Sequence, residues 1–406
     1  MAEPIWALGM MSGTSLDGID AALVLTDGET ISAFGPGAET PFRAGEMRHV
    51  EAVMGDWRAF RPPAGAARAD KLLKAERDVL RAHAAAAAAL LADAAEAPAV
   101  IGFHGQTVAH APDEGWTWQI GDGAALARAL NRPVVWDFRS DDMKAGGEGA
   151  PLAPFFHFAL AKHIGAAVPV AFLNIGGVAN VTWVNPALSA PETAGALVAF
   201  DTGPGNALIN DWMARRTGAP LDRDGAAAGA GRVSRAALRS NAAAAYLDRK
   251  PPKSLDRNEF AAVLAAVDGL SVEDGAATLT ALTAETVAES LRHMPAPPSR
   301  WLVCGGGRRN GAMMRMLGER IDAPVDPVEA VGLDGDLIEA QAFAYLAVRV
   351  MRGLPISAPA TTGCAAPVAG GRISRSDRNP AQVQVIATRT RIPPSSAPET
   401  KTPARG

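Results

Sequence analysis

Cysteine is scarce: Cys304 and Cys364 are the only two in 406 residues. They show no metal-like spacing and cannot make a disulfide framework, so a reducing compartment is expected. A charge excess is also missing. The formal net charge is −4, which argues against nucleic acid as a principal partner. Long apolar runs are missing too. The alanine-rich stretch near Ala84 is interrupted by Asp93 and Glu96, so no membrane span is expected. No basic segment followed by a long apolar run opens the chain, so no signal peptide is expected and a cytoplasmic location is the plain reading. There is no Gly-Lys-Thr/Ser, which excludes a Walker loop.

What is present is apolar bulk and glycine. Hydrophobic residues make up 48% and charged residues 20%, enough for a large core, and the length suits two domains. The most informative stretch is Gly9-Met10-Met11-Ser12-Gly13-Thr14-Ser15-Leu16-Asp17-Gly18-Ile19-Asp20. It joins two strand-like runs, Ile5 to Leu8 and Ala21 to Leu25, and Asp27-Gly28 then turns the chain into Thr30 to Phe34. Gly13 and Gly18 let backbone N–H groups approach a ligand closely. With Thr14 and Ser15 they suit an anion such as phosphate. Asp17 and Asp20 do not suit direct phosphate contact; they suit a place beside Mg²⁺, which takes oxygen ligands. The bland alternative is a surface hairpin rich in turn formers.

Further on, a helix is expected over Asp70 to Ala94. Three short strands follow, each ending in polar residues. Ala99 to Phe103 runs into His104-Gly105-Gln106-Thr107, Trp116 to Ile120 into Asp122, and Pro133 to Phe138 into Asp137 and Arg139. Open α/β sheets hold ligands at such ends. His104 could equally be a satisfied strand-end histidine, and Asp122 a helix cap. Arg139 suits a carboxylate, which its planar fork binds bidentately. Gly146 to Pro151 marks the best boundary, giving one domain over residues 1–145 and a second over 146–340, with a helix within 340–372 returning to the first. Phe155 to Ile164 reads as a helix. Val170 to Leu173, Asn174-Ile175-Gly176-Gly177 and Val178 to Val184 then form a second hairpin that echoes the first.

Leu197 to Phe200 delivers Asp201 before Gly203-Pro204-Gly205 and a helix over Ala207 to Arg216. Asp201 suits a general base or a turn cap. Ala226 to Tyr246 and Ser271 to Met294 read as helices. Trp301 to Val303 enters Cys304 and Gly305-Gly306-Gly307, and Ala312 to Arg320 follows as a helix. Strand, triple glycine and helix suit a nucleotide. Asp334 to Met351 reads as a long helix whose Glu339 could face solvent or a cleft. From Arg372 the composition turns to Arg, Pro, Ser and Thr, so residues 373–406 read as a disordered tail.

Taken together, these blocks resemble the anhydro-N-acetylmuramic acid kinase family. Met11 to Asp20, His104 to Thr107, Gln119 to Asp122, Asp137 to Arg139, Gly149 to Leu152, Asn174 to Asn180, Asp201 to Asn206 and Cys304 to Gly307 carry the likeness, in family order. It implies an α/β fold, the two-domain actin-like ATPase (ribonuclease H-like) fold with a central cleft. It also implies ATP and Mg²⁺ as cofactors, 1,6-anhydro-N-acetylmuramic acid as substrate and N-acetylmuramic acid 6-phosphate as product, in cell-wall recycling. By resemblance Asp201 activates water. Gly13 through Asp20, Gly176, Gly177, Gly305, Gly306 and Gly307 hold the nucleotide. His104, Gln106, Thr107, Asp122, Asp137, Arg139 and Glu339 hold the sugar. No metal ligand is firmly assigned; Mg²⁺ arrives with ATP, near Asp17 and Asp20. A homodimer is the family's habit. Lys144 and Glu148 stand where the family is usually uncharged. The competing readings are a non-catalytic ATP-binding regulator of the same fold, and a kinase for another sugar.

Overall fold

The computed structural model describes residues 2–61, 66–238, 244–251, 253, 255 and 261–376. In chain order its strands are β1 (Ile5–Ser12), β2 (Gly18–Thr26), β3 (Ile31–Pro41), β4 (Val100–Ala111), β5 (Trp116–Ile120), β6 (Val134–Trp136), β7 (Val170–Ile175), β8 (Val178–Val184), β9 (Leu197–Pro204), β10 (Trp301–Cys304), β11 (Val325–Pro327) and β12 (Arg372–Ser374). The helices that matter for the site are α1 (Ala66–Asp93), α2 (Gly123–Leu130), α3 (Pro154–His163), α4 (Ala207–Thr217), α5 (Val272–Glu289), α6 (Gly311–Gly318) and α7 (Ile338–Met351).

The strands form two sheets. The first has the order β12-β6-β4-β1-β2-β3, with β5 paired to β4; the second has the order β11-β10-β7-β8-β9. In each, an antiparallel meander (β1-β2-β3 or β7-β8-β9) is extended on its first strand by two parallel strands (β4 and β6, or β10 and β11). Parallel neighbours require crossovers, which the intervening helices supply. One topology built twice, around a cleft, is the actin-like, ribonuclease H-like fold. The echo between the two hairpins is therefore an echo between whole sheets.

Two helices fill the space between the sheets. α3 is buried from Pro154 to Ala161, and α7 from Ala340 to Val350. A helix apolar on every side belongs in an interior. Their side chains join Ala7, Val24 and Val100 of the first sheet to Phe172, Val184 and Leu302 of the second in one core. α7 lies close on the first sheet because Gly9 and Gly102, partners across β1 and β4, have no side chains. A Cβ on Gly9 would fall 1.8 Å from the Ala340 carbonyl oxygen, and one on Gly102 2.0 Å from that of Phe343. The cation buried in α7, Arg349, donates to the carbonyl of Gly28 at 2.9 Å and to Glu192 at 3.0 Å, so its charge is partnered.

The structure departs from the sequence reading at several elements. The helix expected over Ala226 to Tyr246 is broken into Ala226–Ala230, Arg235–Leu238 and Ala244–Leu247. At the first break Gly231 passes so close to α5 that a Cβ would meet the Glu273 carbonyl oxygen at 2.0 Å. α5 itself starts at Val272, with the Ser271 hydroxyl accepting from the Asp274 N–H at 3.1 Å, an N-cap. α7 begins at Ile338 rather than Asp334, whose carboxylate accepts from the Asp336 N–H in a preceding turn. The tail does not begin at residue 373: Arg372–Ser374 pair antiparallel with β6 as β12. Residues 377–406 lie outside the described residues.

Gly102→Ala should force α7 off its seat. We expect a loss of about 1–3 kcal/mol, the scale of overpacking in a filled core, in urea unfolding. Wild-type stability would show that the helix has slack.

Candidate active site

The cleft opens where the inner faces of both sheets turn polar. In the second sheet the inward residues are Phe172 on β7, Thr182 and Val184 on β8, Leu197 and Ala199 on β9 and Leu302 on β10. One step nearer the cleft the same row reads Cys304, Asn174, Asn180 and Asp201, each the register partner of the next. In the first sheet, Ala7, Val24 and Val100 give way to Gly9, Ala22 and Gly102, then to Met11 and its partner Asp20. Side-chain alternation puts each series on one face. The two polar ends enclose a cavity of about 470 Å³. It is lined by Asp201, Asn174 and Asn180 from one side, and by Asp20, Arg139 and Glu339 from the other.

Asp201 is the last residue in regular register. Asn180 pairs with Asp201, whereas Ala179 pairs with Gly203, so Thr202 is the extra residue of a β-bulge. The Asp201 carboxylate accepts from the Leu255 N–H at 2.8 Å, and its backbone is held by Lys253 and Tyr246. Burial pushes its carboxyl up to about 7; the Leu255 bond opposes this, and the nearby charge of Glu148 adds to it. A carboxyl titrating there can take a proton near neutral pH.

Arg139 is held in orientation by all three of its nitrogens, while each terminal nitrogen keeps a second N–H. Its Nε and Nη2 donate to His104 Nε2 at 3.2 and 3.0 Å, and Nη1 donates to the Gly149 carbonyl at 2.7 Å. Burial, reinforced by the Arg139 charge, holds His104 well below the usual histidine range, so it stays neutral and its Nε2 accepts. Glu339, in the first turn of α7, accepts from Asn174 Nδ2 at 3.4 Å. Burial pushes its carboxyl up, and Arg139 opposes that. Asp20 is pushed up to about 7 by burial and by the carboxylates of Glu39, Glu339, Asp336 and Asp17.

The residues singled out from sequence separate into two groups. Asp201, Arg139, Glu339, Asp20, Gly176 and Gly305 line the cavity. Gly13, Ser15, Asp17 and Gly18 line an adjoining recess shared with Asp20 and Glu339. The long glycine loop is mostly strand, and only residues 13–17 form the turn. Thr14 is exposed on that turn, and Leu16, at φ 56°, packs its side chain on the core beneath. Ile19 is wholly buried in that core. Gly18 and Gly307 are crowded, by the Thr40 carbonyl and by Ile175, and Gly305 by Asn174.

Four residues expected at the sugar lie elsewhere. β4 continues through His104, Gln106 and Thr107 instead of ending before them. Gln106 is a buried strut, accepting from Ser12 Oγ at 2.7 Å and donating to the Gly13 carbonyl at 3.0 Å. Thr107 accepts from Gln119. Asp122 caps α2, accepting from the Ala124 and Ala125 N–H groups at 2.8 and 3.0 Å. Asp137 binds Ser140 and pairs with Arg372 at 2.8 Å. His104 reaches the cleft only through Arg139. Cavity residues to which the sequence reading gave no role include Asn180, met there only within a matching block, His157 and Lys253. Asn180 had a signal, a polar residue inside an apolar strand. His157 had none, since its bond to Thr182 at 2.9 Å depends on the packing of α3 against β8. Among the described residues, no group of three or more His, Cys, Asp or Glu is arranged to hold a metal ion.

A cleft between two sheets of one topology, with glycine turns from both, is the arrangement of the actin-like ATPase and sugar-kinase fold, and the sequence relatives make the protein a kinase. The family model described as anhydro-N-acetylmuramic acid kinase matches residues 5–375. A protein of that name from Roseobacter denitrificans is 52% identical over 371 residues, covering 91% of this chain and 94% of its own. Another from Ruegeria sp. is 53% identical over 374 residues, covering 91% and 95%. The chain belongs to the anhydro-N-acetylmuramic acid kinase family. Among solved structures, an activator of 2-hydroxyisocaproyl-CoA dehydratase from Clostridium difficile with bound ADPNP superposes loosely. Its TM-score is 0.41 at 12% identity, over 86% of this chain and 96% of that one.

The reassignment of Asp122 is open to test. Asp122→Ala should cost about 0.5–2 kcal/mol of stability, the scale of a lost N-cap, with the KM for the sugar unchanged. A raised sugar KM at wild-type stability would return Asp122 to the binding site.

Proposed function

We propose that this cleft phosphorylates 1,6-anhydro-N-acetylmuramic acid with ATP while water opens its anhydro bridge, giving N-acetylmuramic acid 6-phosphate and ADP. Asp201 carries the reading. The attacking water gives a proton to the Asp201 carboxylate as its oxygen bonds to C1. The C1–O6 bond breaks, and O6 takes the γ-phosphoryl group. Carboxylates suit water activation at an anomeric carbon. Phosphoryl transfer needs alignment and charge neutralisation more than covalent help.

Four glycines support a nucleotide between the halves. Gly13, Gly176, Gly177 and Gly306 would each accept a Cβ, the nearest atoms lying 3.5, 3.7, 3.7 and 3.9 Å away. Crowding within the protein does not require glycine there, whereas close approach by a ligand does. Ser15 and Asp17 belong to the same turn. Asp17 and Asp20 fit Mg²⁺ carried by the nucleotide, because the like charges that raise the Asp20 carboxyl would be relieved by a divalent cation. When bound, that ion would neutralise phosphate charge. Arg139, with Glu339 and Asn174 beside it, suits the carboxylate-bearing sugar. A non-catalytic regulator would have no use for a base held near neutrality. The reading carries a cytoplasmic site of action, where ATP is supplied and the two buried free thiols stay reduced. A homodimer comes with it as the family's habit.

Asp201→Asn should keep the bond from Leu255 and lose the basicity. Turnover should fall about a hundredfold or more, with KM for both substrates nearly unchanged; near-wild-type turnover would leave Asp201 a structural residue. The base works only when ionised and its carboxyl sits at about 7. Turnover should therefore rise with pH through about 7 and level off above it. A profile flat across that range would count against Asp201.

A further inference from the structure

We propose that Asn180 is the second anchor of the attacking water, holding the hydrogen that Asp201 does not take. The inference rests on Asp201 as the base. Asn180 and Asp201 are direct cross-strand partners on the cleft face, at the last regular step before the bulge. Side chains so placed have Cβ atoms about 5 Å apart, so one small molecule can touch both. The pairing is fixed from below: Thr202 Oγ1 donates to the Ala179 carbonyl at 3.1 Å and pins the bulge beside it. Asn174, the partner of Asn180 on the other side, already spends its amide on Glu339. The Asn180 side chain lines the cavity and has no hydrogen-bond partner among the described residues.

A water held by one acceptor can still swing about that hydrogen bond. Held by two, it has both hydrogens fixed and a lone pair directed away from the sheet. In the reaction, one water hydrogen passes to Asp201 while the other stays on the oxygen, donated to the Asn180 amide oxygen. The water oxygen bonds to C1, the C1–O6 bond breaks, and O6 takes the γ-phosphoryl group as the bond to the ADP oxygen breaks. Nothing else is consumed. Orientation of this kind accounts for large rate factors even when binding is untouched.

The assignment makes a prediction that a merely structural asparagine would not. Methanol can give its one hydroxyl proton to Asp201, but its methyl group must stand where the second water hydrogen stood. Asn180 fills that place in the wild type; alanine leaves it open. Asn180→Ala and, as a second variant with less cavity, Asn180→Ser should be assayed with ATP and the anhydro sugar in water–methanol mixtures. Products should be resolved as reducing sugar phosphate and methyl glycoside phosphate, with thermal midpoints as the fold check.

We expect turnover to fall about ten- to a hundredfold with both KM values nearly unchanged. The methyl glycoside share should rise several-fold over wild type, more for alanine than for serine. Wild-type turnover and partition in folded variants would overturn the assignment. So would a raised sugar KM at unchanged turnover and partition, which would make Asn180 a sugar contact. Asp201→Asn run in parallel separates the two ideas. If it is slow while the Asn180 variants are normal, only the second anchor fails; if it turns over normally, the base reading fails first.

Discussion

Everything in the cleft depends on how closely α7 lies on the first sheet. Helix and sheet usually stand apart by the depth of their side chains. Here Gly9 and Gly102, neighbours across β1 and β4, remove that layer, and the helix backbone comes down onto the strands. The first turn of α7 then arrives at the level of the cleft floor, where Glu339 meets Asn174 of the other sheet. A helix one side chain higher would carry Glu339 away from that partner. The same seat brings the Phe343 ring within 4.6 Å of His104, closing off the histidine that steers Arg139. One backbone contact thus sets a carboxylate and a guanidinium that reach the cleft by different routes.

The cost of this arrangement is concentrated where the apolar rows end. Burying a polar group without full compensation costs about 1–3 kcal/mol on mutational scales. On the inner faces the polar groups that face the cleft gather at the final step: Asn174, Asn180 and Asp201 on one sheet, Asp20 on the other. Behind them the rows are apolar, apart from Thr182, which bonds His157 of α3, and they are filled by α3 and α7. Rigidity and reactivity are therefore continuous along the same strands, and the side chains that do chemistry stand on the most tightly packed part of the molecule.

Much of this was legible in the sequence, for identifiable reasons. Both hairpins, the strand carrying Asp201 and the glycine turn after β10 announce themselves through apolar runs broken by Gly and Asp. Asp201 was legible as a strand-end carboxylate because the regular ladder does stop there, although β9 continues to Pro204. Polar residues after an apolar run misled where the strand simply went on. Gln106 in β4 is a buried strut, and nothing local distinguishes a strut from a ligand. Asp122 shows the limit of local chemistry: an Asp before a helix is the same pattern whether it caps or binds. Register also lies beyond a sequence read one stretch at a time. That Asn180 faces Asp201 follows from the register of β8 on β9, which runs unbroken from the Val184–Leu197 pair to this one.

The short strand β12 has a consequence for the molecule's neighbours. β6 is only three residues long, and without β12 its outer backbone groups would be an open edge that another chain could extend. β12 occupies that edge for its full length, Arg372 to Ser374 against Trp136 to Val134. The Arg372–Asp137 ion pair and the Trp136 indole bond to Ser374 at 3.0 Å fasten it on both sides. What reads in sequence as the start of a polar tail is a stopper in the sheet. It moves the margin of the sheet onto a three-residue strand that carries Arg372, the short and charged kind of edge that resists further pairing.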